Sequence, residues 1–215
     1  MVSCVIMPEE ETSPHFVGIS KGRMEALSDG IFAFSMTLLV LGFVIPPIHG
    51  TPLPTDVDDI LVSLSTDFIH YAIAFLILSG MWVSHHYLTD KMPHTDRNFL
   101  RLNMLVLLFI ALIPFSTILI GDFSGVPLAN IVFEANLLIV GGMIAIQWWY
   151  ITRNPFLLRK GIKAEYMRTG IYKALVTPAI SVIGILLSVG GVAYTTWVYL
   201  FVPVGIYLAG KAAYK

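Results

Sequence analysis

Between Arg23 and Ile45 the chain passes from Arg-Met-Glu-Ala-Leu-Ser-Asp-Gly straight into Ile-Phe-Ala-Phe-Ser-Met-Thr-Leu-Leu-Val-Leu-Gly-Phe-Val-Ile, a charged head on an apolar run of bilayer-crossing length. A stretch of about 20 mainly apolar residues crosses hydrocarbon as a helix, because lipid offers its backbone groups no hydrogen bonds. Arg23, Glu25 and Asp29 fall in the first two turns, and Ser35 and Thr37 place hydroxyls near mid-span. Charged groups in such a helix are costly unless they pair or face water, so this span is expected to line something polar rather than only to anchor the chain.

Five further stretches qualify as spans, giving a set at about 24–45, 60–83, 100–120, 128–150, 171–189 and 192–208. With 56% of residues hydrophobic and 13% charged, the composition excludes an ordinary soluble domain. The fold expected is all-α, a polytopic membrane protein of six transmembrane helices. All thirteen Lys and Arg residues lie before the first span, after the sixth, or in the loops between spans two and three and between four and five. The opposite loops carry Asp56, Asp58, Asp59 and Asp122 and no cation, so the positive-inside rule puts both termini in the cytosol. Residues 1–20 read as a flexible cytosolic tail rather than a signal peptide, 21–210 as one six-helix domain, and 211–215 as a second short tail. A net charge of −1 gives no reason to expect nucleic acid, and the basic loop from Arg153 to Lys173 is expected to meet anionic lipid headgroups. Cys4 is the one cysteine, so no intrachain disulfide can form.

Pro46, Pro47, Pro52 and Pro54 make the link between spans one and two non-helical, after which Asp56 offers a cap for span two. Pro114, Pro178 and Pro203 fall inside spans and predict kinks. Ser181, Gly184, Ser188, Gly190 and Gly191 make span five a candidate for close helix packing.

Three groups of residues are candidates for function. On span one, Phe34, Thr37 and Leu41 stack at i, i+3 and i+7, with Leu38 beside them. Alone, such a stripe is more often core packing than a seam, and the polar head below it tips the reading toward a conduit. One six-helix chain with no large internal polar face cannot readily enclose a water path, so a conduit would form where copies of one helix meet on an axis. The second group is cytosolic: Trp82, His85, His86, Asp90, His94, Asp96, Arg97 and Asn103. No metal motif is present in it. The favoured reading is structural, with His86 and Asn103 entering the membrane at the level of Arg23 and Asp29 and supplying partners that buried charge requires. The third group is Asp67 and His70 in span two with Asn130, Glu134 and Asn136 in span four, Glu134 being placed near the outer interface where solvation is cheap.

Arg23-x-x-x-Leu27-Ser28-Asp29-Gly30, followed by Ile-Phe-Ala and a Thr-Leu-Leu-Val-Leu run, resembles the Arg-x-x-x-Phe-Ser-Asp signature of the endosomal and lysosomal potassium channels and their bacterial homologues. Trp82-x-x-His85-His86, Asp96-Arg97, and Leu102-Asn103 running to Pro114-Phe115 resemble the same family over residues 21–120. The resemblance implies a homotetramer, as in the bacterial form, with helix 1 lining a central pore. Its constriction residues would be Phe34, Thr37 and Leu41, flanked by Leu38. Arg23, Ser28 and Asp29 would belong to a polar cluster with His86 and Asn103. It implies potassium ions, membrane lipids and further copies of the chain as partners, no cofactor, no metal, no enzymatic activity, and a bacterial inner membrane as location. Leu27 replaces the signature's Phe, and Phe34 stands where a branched aliphatic is usual. No Thr-Val-Gly-Tyr-Gly segment occurs, so selection between ions would fall to side chains, giving modest preference for potassium over sodium. Two other readings compete. A proton-coupled secondary transporter would titrate Asp67, His70 and Glu134, and an intramembrane enzyme would use His85, His86, Asp90 and His94.

Overall fold

The computed structural model describes residues 20–47, 53–123 and 125–212, all of them helical or in connecting turns. Of the expected tails at 1–20 and 211–215, residues 1–19, with Cys4, and 213–215 lie outside the described residues, as does the middle of the link between spans one and two, while Lys211 and Ala212 continue the last helix. Helix α1 covers Lys21–Leu38 and tightens without interruption into a 3₁₀ turn at Leu39–Gly42. A short helix α2, Pro54–Ser63, precedes α3, Ser65–Asp90. Then follow α4 (Arg97–Ile110), α5 (Ile113–Asp122), α6 (Pro127–Arg153), α7 (Ala164–Ala174) and α8 (Val176–Val189). A 3₁₀ stretch, Thr195–Phe201, leads into α9, Val202–Ala212. Among the described residues, five helical runs are long and apolar enough to cross a membrane: Lys21–Gly42, Ser65–Asp90, Arg97–Asp122, Pro127–Arg153 and Ala164–Val189.

Asp56 does not cap span two. Pro54 opens α2 as a separate helix, and Asp56 reaches back from its third position to accept the Leu53 backbone N–H at 2.7 Å, so span two begins later than 60, at Ser65. The expected kinks at Pro114, Pro178 and Pro203 appear as interruptions, each proline standing within the first turn of a fresh helix, α5, α8 or α9. That position suits proline, since the first-turn N–H groups have no intrahelical acceptor to lose.

The break before α5 is closed from outside. The Asn136 amide of α6, with its oxygen turned toward α5, accepts from the Ile113 N–H at 3.2 Å and from Ser116 Oγ at 3.3 Å while donating to the Phe109 carbonyl at 3.2 Å. Ile113 N–H and Phe109 C=O are the i and i−4 partners of a continuous helix, so a side chain from the next span bridges the missing rung.

Helix α6 packs most extensively against α8 and is the centre of the fold, touching α3, α4, α5 and α7 as well. Small residues set the spacing. A Cβ on Gly141 would lie 2.7 Å from Pro178 Cδ, and one on Gly170 would lie 2.1 Å from the Trp148 ring. Of the small residues expected to pack span five, Ser181, Gly184 and Ser188 are buried or in close contact, an added Cβ on Gly184 standing 2.7 Å from Glu134 Oε1, whereas Gly190 meets only carbonyls of its own last turn and Gly191 has nothing within 4 Å.

Candidate functional site

Helix α1 has two unlike faces. Met24, Ser28, Phe32, Ser35 and Leu39 are buried against the rest of the chain. Gly30, Ala33, Phe34, Thr37 and Leu41 are exposed, Phe34 and Leu41 at 65% and 66% of their surface, and Leu38 is half-buried at the edge of the stripe. Buried positions recur every three or four residues, so the packed face and the uncovered stripe both follow from helical periodicity. Leu41 lies in the 3₁₀ turn, where the spacing that the i, i+7 argument assumed no longer holds. Thr37 Oγ1 donates to the Phe34 carbonyl at 2.8 Å, which uses its hydrogen and leaves its oxygen lone pairs free on an exposed surface.

The buried face of α1 is held by a polar network. Asn103 of α4 is fully buried; its Nδ2 donates to Ser28 Oγ at 3.0 Å, and Ser28 Oγ donates to the Met24 carbonyl at 2.9 Å. Asn103 Oδ1 lies 2.7 Å from His85 Nε2 and accepts from Gln147 Nε2 at 3.2 Å. Because the amide nitrogen is committed to Ser28, the oxygen faces the imidazole, which assigns the proton to Nε2. One amide thus ties four spans together.

The histidine at Asn103 is His85, correcting the expectation of His86. His86 stands one residue along α3, about 100° round the helix, and stacks on Trp82 with ring centroids 5.5 Å apart. Trp82 Nε1 donates to Asp29 Oδ1 at 2.8 Å, so Asp29 joins α1 to α3 at an exposed position rather than inside the network. No ion pair joins Arg23 to Asp29 among the described residues; the cation paired on this turn is Lys21, 3.1 Å from Glu25. Gln147 was missed by sequence reasoning, although a lone amide within an apolar span was a signal that it needs a partner. Asp96 was grouped with the cytosolic histidines. It caps α4, accepting from the Phe99 N–H at 2.8 Å, and accepts from Tyr150 Oη at 2.6 Å. Asp90 pairs with Lys91 at 2.7 Å.

The residues of the carrier reading do not converge. Glu134 is fully buried, not near a solvated interface: Ser188 Oγ donates to its Oε2 at 3.1 Å and Thr195 Oγ1 bonds to its Oε1, joining α6 to α8 and the start of the last helical stretch. Asp67 and His70 line a cavity between α3, α5 and the 3₁₀ end of span one, and Glu134 is not part of that wall.

The sequence profile described as "Endosomal/lysosomal potassium channel TMEM175" matches residues 23–114, the region holding span one, the His85 turn and Asn103. A potassium channel of Streptomyces collinus is 32% identical over 151 residues, covering 68% of this chain and 72% of that protein. A potassium channel of Chamaesiphon minutus is 31% identical over 179 residues, covering 79% of this chain and 88% of its own length. Among solved structures, that of a lysosomal potassium-selective channel TMEM175 homolog from Chamaesiphon minutus aligns with a TM-score of 0.71 at 24% identity, over 89% of this chain and 97% of that one, a likeness of fold. By its sequence, the chain belongs to the TMEM175 channel family.

Proposed function

We propose that this protein is a potassium-permeable channel in which four copies surround a pore lined by the exposed stripe of span one. The observation that carries the reading is the two-faced α1. Its buried face is fixed by Ser28, Phe32 and the Asn103 network, while Gly30, Phe34, Thr37 and Leu41 stay uncovered in the protomer. A hydroxyl in that stripe gains nothing against lipid tails. On a shared axis, four Thr37 oxygens can replace part of the water shell of a passing ion, between rings of Phe34 and Leu41 that repel water. Potassium sheds water at lower cost than the smaller sodium ion, so a side-chain filter of this kind favours potassium modestly. The relatives named above as potassium channels support the same substrate.

The topology belongs to the same proposal. Thr195–Ala212 combines seven 3₁₀ residues and eleven α-helical residues. At about 2.0 Å and 1.5 Å rise per residue, these reach about 30 Å, the thickness of a hydrocarbon core, which makes this stretch the sixth span. Six spans with the cationic loops on one side would leave both ends of residues 21–210 in the cytosol, and the likeness to bacterial channels supports a cell membrane as the location. The test is ion flux from proteoliposomes. The reading expects fast, passive, non-saturating potassium flux that exceeds sodium flux and is independent of a proton gradient. Flux that saturates and requires a pH difference would make the protein a carrier.

A further inference from the structure

Glu134 is fully buried where α6 meets α8. Its carboxyl group lies on the α8 backbone at Gly184, where an added Cβ would stand 2.7 Å from Oε1 and 2.8 Å from the carboxyl carbon. Three contacts between oxygens close a ring there: Ser188 Oγ with Oε2 at 3.1 Å, Thr195 Oγ1 with Oε1, and Ser188 Oγ with Thr195 Oγ1 at 3.0 Å. Each contact needs one hydrogen between its oxygens. A Ser or Thr hydroxyl carries a single hydrogen and an ionised carboxylate carries none, so the two hydroxyls supply only two of the three. With Glu134 ionised, one pair of oxygens would face each other bare.

Nor does a cation offset such a charge. The elements bonded to Glu134, α8 and Thr195–Phe201, contain no lysine, arginine or histidine, and their titratable group is Tyr199, whose hydroxyl donates to Ser181 Oγ at 3.0 Å. On α6 itself the other titratable residues are Tyr150 and Arg153, about four turns or more away. At this end of the fold Asp67 and His70 of α3 line the separate cavity, and Asp122 ends α5. Asn130, one turn before Glu134, does not donate to it, its Nδ2 being without a partner. We propose that Glu134 is a proton-binding site, held as the neutral carboxylic acid, and that its proton fastens α8 and the last helical stretch to α6. Glu134 Oε1–H donates to Thr195 Oγ1, Thr195 Oγ1–H donates to Ser188 Oγ, and Ser188 Oγ–H donates to Glu134 Oε2. Three hydrogens then serve three contacts, and no charge is buried unpaired. Loss of the proton removes one bond of the ring and leaves an anion in a dry interior, so the seam is a pH-sensitive fastening whatever passes the pore.

The experiment is infrared spectroscopy of the full chain at neutral pH in an ester-free detergent, for the wild type, Glu134→Gln and Thr195→Val. Solvated carboxyl groups are ionised under these conditions. The wild type is expected to show the carbonyl stretch of a protonated carboxylic acid and Glu134→Gln to lack it. Thr195→Val should keep the band and move it to higher frequency, because the acid loses its hydrogen-bond acceptor. Glu134→Gln can preserve the ring, its amide N–H donating where the acid O–H did, so its melting temperature should fall less than that of the wild type as the pH is raised into the alkaline range. If Glu134→Gln does not fold, the response of the band in Thr195→Val decides alone. Absence of the band from the wild type, its persistence in Glu134→Gln, its failure to move in Thr195→Val, or equal alkaline loss of stability in the wild type and Glu134→Gln would each overturn the proposal.

Discussion

Thr37 gives its hydroxyl hydrogen to the Phe34 carbonyl and so presents only acceptor character to whatever passes its exposed side. Thr37→Val keeps the shape and removes that oxygen. The expected outcome is a clear fall in the potassium-to-sodium permeability ratio, read from reversal potentials under bi-ionic conditions, with the assembly unaltered; an unchanged ratio would put the ion path elsewhere. Asn103 carries a different kind of load. Asn103→Leu strips Ser28, His85 and Gln147 of their shared partner in a dry interior, for a loss of about 3 kcal/mol, whereas His86→Ala removes an exposed ring stacked on Trp82 and should leave thermal stability nearly unchanged. Equal melting temperatures for the two variants would remove the network from its structural role. The meeting of Ser28 with Asn103 was legible in the sequence, since polar groups at the inner ends of two apolar spans need partners. The choice between His85 and His86 was not. Neighbours on a helix differ only in the direction they face, and that depends on how the whole span is rotated. Glu134 was misplaced for a related reason: its position along the span suggested solvent, but Gly184, Ser188 and Thr195 close over it from elements far along the chain.

Helix interruption at Pro114 draws its tolerance from Asn136, whose amide spans the gap between the Ile113 N–H and the Phe109 carbonyl. Asn136→Leu should cost about 2 kcal/mol by leaving the Ile113 N–H without an acceptor, the Phe109 carbonyl keeping its bond from the Leu112 N–H. Adding Pro114→Ala permits the continuous helix to re-form the native rung, so the double variant should be less destabilised than the two single losses together. Additive losses in chemical denaturation would show that the amide and the proline act independently. The tightest helix contact is Gly170 on the Trp148 ring, where Gly170→Ala forces overlap and should destabilise by about 1–3 kcal/mol, with retained stability contradicting that contact. The interruptions themselves were legible, because proline removes a known backbone donor. Their repair was not, because nothing in the local sequence of span three identifies which residue of another span will supply the missing bonds. The 3₁₀ turn at Leu39–Gly42 was equally invisible: its residues suit an α-helix, and a Cβ on Gly42 would lie only 3.0 Å from Ile118 Cγ1, a tertiary fact.

At the scale of the whole molecule, the proposed assembly is what would give the uncovered stripe of span one a purpose. Native mass measurement of the purified protein in detergent is expected to give a tetramer, and a monomer or dimer that conducts in bilayers would contradict it. Within that tetramer Phe34→Ala and Leu41→Ala enlarge an apolar ring and should raise passive current at matched protein density, because a dewetted gate depends on both radius and apolarity. The two rings need not respond alike, since Phe34 sits on the α-helix and Leu41 on the 3₁₀ turn. A 3₁₀ turn advances about 2.0 Å and 120° per residue against about 1.5 Å and 100° for an α-helix. Rewinding the four residues Leu39–Gly42 would therefore draw the outer end of each span inward along its axis by about 2 Å and swivel it by about 80°. Made by the four copies of the proposed tetramer at once, while Asn103 grips the opposite end of each helix, that change of thread would work as an iris, turning the outer aperture and leaving the inner one still.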